Sequence, residues 1–79
     1  MHLEQSARDA KLDALRDYEG FETLEAMYEA ALFDSVCPGI CVKPDCNGTI
    51  EVEPDQDRGW CPACGGNTVV SALRLAELI

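Results

Sequence analysis

Cys41-Val42-Lys43-Pro44-Asp45-Cys46-Asn47-Gly48 and the later Cys61-Pro62-Ala63-Cys64-Gly65-Gly66 decide how this 79-residue chain is read. The four cysteines are spaced C-x4-C, fourteen residues, then C-x2-C. Tight cysteine turns of this kind aim two sulfurs each at one point, and four converging thiolates form the tetrahedral set that zinc takes in structural sites. Just past the second cysteine of each turn the backbone needs a residue that accepts positive φ, and Asn47-Gly48 and Gly65-Gly66 stand there. Cys41, Cys46, Cys61 and Cys64 are therefore read as the ligands of one structural Zn²⁺ ion. Cys37 competes with Cys41 for the fourth place. Four intervening residues close a compact loop around Pro44 and Asp45, whereas eight do not, so Cys37 is left as a spare thiol with a small hydrophobe's role.

Length and charge set the frame around this site. A chain this short buries too small a core to stand without a staple such as a disulfide, a metal or a partner. The first seventeen residues are charged throughout and offer no apolar export segment, which sets the expectation of a reducing cytoplasm, where paired cysteines hold metal rather than each other. No stretch is apolar and long enough to cross a bilayer. Six basic residues face 15 acidic ones, for a formal charge of -9, and four thiolates around one divalent ion make the balance two charges more negative. Phosphate backbones are bound through clustered Lys and Arg, and here Lys43, Arg58 and Arg74 are dispersed while Arg8, Lys11 and Arg16 sit among acids. Nucleic acid is thus disfavoured, and a basic protein surface is the expected partner.

Residues 1–36 read as an acidic helical segment and 37–79 as a zinc ribbon, together one domain. The predicted fold class is α+β: two N-terminal helices packed on a ribbon with a short β-hairpin or three-stranded sheet. Ser6 and Asp9 suggest a capping box, Leu12 and Leu15 a narrow apolar strip, and Gly20 a break. Beyond it Leu24, Met27, Tyr28, Ala31 and Leu32 recur at helical spacing, opposite Glu22, Glu25 and Glu29. The stripe is expected to pack on the ribbon, although it could also join two copies in a homodimer. Leu24, Tyr28 and the three glutamates are the candidate partner-binding residues. Cys37-Pro38-Gly39 is read as the stop of this helix. Thr49-Ile50-Glu51-Val52-Glu53 alternates as a strand, and the turn 54–59 is expected to return it as a hairpin through Trp60 to Cys61. Trp60 is read as a core or metal-covering residue. Asn67-Thr68-Val69-Val70 reads as a third strand, and Ser71 as the cap of a closing helix reaching Ile79. His2, beside the initiator methionine, is neither a ligand nor a base.

Two resemblances add to this reading. Cys61-Pro62-Ala63-Cys64-Gly65 is similar to the second cysteine loop of rubredoxins, one-electron carriers with iron on four thiolates; their first loop is C-x2-C, and Cys41 to Cys46 is longer, so iron is the lesser metal. Residues 40–79, with Cys41, Cys46, Glu53-Pro54-Asp55-Gln56, Gly59-Trp60-Cys61, Cys64-Gly65 and Ser71-Ala72-Leu73, resemble a group of small orphan zinc-ribbon proteins of bacteria and their phages. That resemblance implies the ribbon fold, the metal and a bacterial or phage setting rather than an activity. Four filled coordination positions leave none for water, so no enzyme is expected. The expected function is a small acidic protein-interaction module or regulator. The alternatives are a DNA mimic that inhibits a nucleic-acid-binding protein, a nucleic-acid-binding ribbon and a rubredoxin-like electron carrier.

Overall fold

A computed structural model describes residues 4–33 and 36–78; the expectations placed on His2 and Ile79 fall outside them. Helix α1 spans Gln5–Glu19 and α2 spans Leu24–Phe33, followed by strands β1 (Cys37–Cys41), β2 (Thr49–Val52), β3 (Gly59–Trp60) and β4 (Asn67–Ser71) and a single helical turn α3 (Ala72–Leu75). The architecture is α+β, helices followed by a four-stranded antiparallel sheet in the order β2-β1-β4-β3.

Helix α1 starts earlier than a Ser6 cap allows. Its N-cap is Glu4, which makes no side-chain capping bond. Asp9 instead accepts a hydrogen bond from Gln5 Nε2 at 2.8 Å, one turn apart on the helix surface. Gly20 ends the helix in the left-handed region (φ 81°), and its N–H returns to the carbonyls of Arg16 and Asp17. Thr23 then accepts from the Ala26 N–H at 3.1 Å, opening α2 with a side-chain cap.

Sheet topology departs from the expected hairpin and third strand. β2 pairs with β1 (Cys37↔Val52, Ile40↔Thr49), β3 pairs with β4, and β2 and β3 lie on opposite edges. Between them lie β4 and Cys37–Cys41, the latter including the stretch read from sequence as a helix stop. Pro38 is tolerated there because β4 pairs with β1 only from Gly39 onward, so Pro38 has a strand neighbour on one side alone. Gly39 is required by space: a Cβ there would stand 2.8 Å from Val69 Cγ1 and 2.9 Å from Val52 Cγ2. The turn 53–58 crosses from one sheet edge to the other and is pinned to the end of β4. Ser71 N–H donates to Gln56 O at 2.9 Å, Ser71 Oγ donates to Pro54 O at 2.5 Å, and Arg74 pairs with Asp57 at 3.2 Å.

Ser71 also caps α3, accepting from the Arg74 N–H at 3.1 Å. The expected closing helix is only that one turn, ended by a turn in which Glu77 has φ 61°. Period-two alternation then sends neighbouring residues to opposite faces of the sheet. Ile40, Val42 and Val70 join Leu12, Leu15, Met27, Ala31, Ala72, Leu73 and Leu75 in one buried cluster. Cys41 and Val69 turn the other way and meet Val52 and Cys61.

Candidate metal centre

Each cysteine of the set is placed by a different piece of local structure. Cys41 ends central strand β1, Cys46 closes the loop after it, Cys61 follows edge strand β3, and Cys64 lies in the turn before β4. The Cys46 N–H donates to Lys43 O at 3.1 Å, and Cys41 N–H to Gly48 O at 2.8 Å, folding the first loop back on itself. In the second, Gly65 N–H donates to Cys61 O at 2.7 Å, and Cys61 N–H to Gly66 O at 2.8 Å. The expectation of a left-handed residue holds at Gly65 (φ 78°) but not in the first loop, where among the described residues neither Asn47 nor Gly48 has positive φ. Gly48 is needed there for another reason: a Cβ would lie 2.6 Å from Cys61 Sγ and 3.6 Å from Cys46 Sγ. The backbone of one loop is thus packed against a sulfur of the other.

The four sulfurs all lie within 4.8 Å of one another and could hold a metal ion. The short contacts are Cys41 Sγ to Cys64 Sγ at 3.8 Å and Cys46 Sγ to Cys61 Sγ at 3.7 Å, both running between the loops. A metal–sulfur bond of about 2.3 Å in a tetrahedron sets sulfurs about 3.8 Å apart, so these pairs match two opposite edges of such a cage. Cys41 and Cys61 are fully buried, Cys46 is half-buried, and Cys64 is exposed.

Without a cation, Cys64 and Cys46 are pushed in opposite directions. The Gly66 N–H draws the Cys64 thiol down, against partial desolvation, and hydrogen bonds from Cys61, Thr68 and Cys41 bring it to about 6. At Cys46 the Gly48 N–H favours the thiolate, but desolvation and the thiols of Cys61, Cys41 and Cys64 outweigh it and push the group up to about 11. Cys64 thus forms a thiolate readily near neutral pH, whereas Cys46 resists following until a cation offsets the charge.

Two further side chains serve the site. Lys11, buried on α1, sends its ammonium into the first loop, where Lys43 O and Cys46 O accept at 2.5 Å and Asn47 Oδ1 at 2.7 Å. All three of its donors are used, so a positive charge is seated beside the cysteines at little desolvation cost. Thr68 Oγ1 lies 2.9 Å from Cys41 Sγ and 3.9 Å from Cys64 Sγ, close enough to orient both sulfurs. Sequence reasoning placed Lys11 merely among acids. The available signal was its position next to Leu12 and four residues before Leu15, on the apolar strip of α1.

The spare Cys37 is fully buried in the helical cluster, away from the four-sulfur group, with its Sγ donating to Pro38 O at 3.4 Å. Trp60 contradicts its reading as a core or covering residue: it is 58% exposed on the edge strand. Of the candidate partner-binding residues, Glu22, Glu25 and Glu29 are exposed, while Leu24 and Tyr28 are half-buried against the core. Burial, followed by the charges of Glu25 and Asp9, raises the Tyr28 phenol above its ordinary range. No helix among the described residues is long and apolar enough to cross a membrane. Comparison with protein-family models, curated proteins and solved structures finds no match to this chain.

Proposed function

We propose that Cys41, Cys46, Cys61 and Cys64 hold one structural zinc ion and that the protein is a zinc ribbon carrying two helices, which serves as a small acidic protein-interaction module. The observation that carries the metal reading is the pair of sulfur contacts, 3.8 and 3.7 Å, that join the two loops at tetrahedral spacing. Bound zinc supplies a cross-link between segments far apart in sequence and discharges the thiolates. Lys11 and Thr68 hold the first loop and the Cys41 and Cys64 sulfurs in place for it. Four sulfurs fill the coordination of a structural zinc ion and leave no position for an activated water, which supports a binding role over hydrolysis.

The formal charge of -9 and the exposed Glu22, Glu25 and Glu29 favour a basic protein as the partner. The same acids support a second reading, a DNA mimic that occupies a nucleic-acid-binding protein. A bacterial or phage setting follows from the resemblance of residues 40–79. Metal analysis of the purified protein, with an absorption spectrum, tests the first part: one colourless zinc per chain is expected, and a coloured iron species contradicts it. Affinity capture from bacterial lysate tests the second. Capture of a basic protein insensitive to added DNA supports the module, competition by DNA turns the reading to mimicry, and capture of nothing contradicts both.

A further inference from the structure

On the side of the sheet that carries the helices, α2 and the start of β1 leave a cleft of about 170 Å³. Phe21, Ala30, Val36 and Pro38 give it apolar walls above the buried Met27 and Ala31, and Glu19 and Glu51 reach it from α1 and β2. No lysine or arginine lines it. Neither glutamate is taken up in an ion pair or a side-chain hydrogen bond among the described residues. Its rim includes one exposed apolar side chain, Val36, 43% exposed.

We propose that this cleft docks a basic polypeptide segment of another protein, which inserts one Leu, Met or Phe side chain between Phe21, Ala30 and Val36 and sets Lys or Arg against Glu19 and Glu51. This deepens the interaction-module reading and rests on it. Size supports the anchor, since an apolar cavity of about 150 Å³ accepts a benzene ring. Charge selects the partner's class. A second copy of this chain would bring the same acidic rim and a charge of -9, so self-association sets like charges together. A nucleic acid would place phosphates against the same two carboxylates and has no apolar anchor to fill the cleft. A basic segment meets both features at once and covers Val36 as it docks.

A displayed random-peptide library selected on the zinc-loaded protein tests this. The selected peptides are expected to carry one large apolar residue flanked by Lys or Arg. Their affinity is expected to fall about tenfold or more in Ala30→Phe, which fills the cleft, and in Glu51→Lys, which reverses its rim. Glu51 is exposed, so that variant keeps the fold if Ala30→Phe does not. No enriched peptide, or peptides that bind both variants as tightly as the parent, overturns the proposal. Sedimentation showing a dimer that Ala30→Phe dissolves also overturns it, in favour of a second copy. If lysate capture persists in both variants, the module reading stands and only this placement falls.

Discussion

The two faces of the sheet are held by different physics. Towards the helices, ten buried residues from α1, α2, α3, β1 and β4, with Val42 just past β1, form an ordinary apolar core among the described residues. Towards the cysteine loops the buried cluster is Cys41, Val52, Cys61 and Val69, with only Cys46 and Ile50 packed against it. Burying a valine stabilises by about 1.5–3 kcal/mol, whereas a structural zinc ion in a small peptide contributes on the order of 10–16 kcal/mol. On the second face an ion held by the four sulfurs would dominate. The faces are not independent, because β1 and β4 give alternate residues to both and Lys11 reaches from the helical side into the first cysteine loop. A small chain can thus use one metal ion to stiffen the floor on which a modest helical core rests.

The strongest way to break this comparison is at the metal. Cys64→Ser removes one sulfur of the four and is expected to abolish zinc binding, with a loss of stability on the order of 10 kcal/mol and no cooperative unfolding transition; metal content and thermal denaturation read both. Leu15→Ala strikes the other face. It should cost about 2–5 kcal/mol by chemical denaturation while zinc remains at one per chain, so loss of the ion here would mean that the helical core, and not the ion, holds the cysteine loops together. Lys11→Met tests the link between them. Leaving Lys43 O, Cys46 O and Asn47 Oδ1 without their donor should weaken zinc binding about 10–100-fold in chelator competition, and an unchanged affinity would reduce Lys11 to packing. Cys37→Ala is the mildest: about 1 kcal/mol of stability from a small change in the helical cluster, with zinc content intact.

Local signals made much of this legible. Gly20 ends a helix as its conformational freedom suggests, and the apolar repeat from Leu24 to Leu32 marks α2, although Leu32 itself faces solvent. Cysteine spacing singled out four sulfurs that do come together. Strand pairing was not legible. Pro38 and Gly39 are breakers by local rules, and they fit a central strand only because β4 stops short of Pro38 and because Val52 and Val69 crowd Gly39. Those are facts about residues far away in the chain. The steric reason for Gly48 and the reach of Lys11 were not legible for the same cause. Gly48 makes room for a sulfur thirteen positions on, and Lys11 bonds carbonyls more than thirty residues away.

The most direct test is the amide NMR spectrum of the reduced protein, recorded with its zinc and again after a strong chelator has removed it. The zinc-loaded spectrum should be dispersed throughout. The metal-free spectrum should collapse over both faces, β1 and β4 included, and recover when one equivalent of zinc is returned. A reduced, metal-free protein that keeps its dispersed spectrum would contradict the claim that the ion holds the fold.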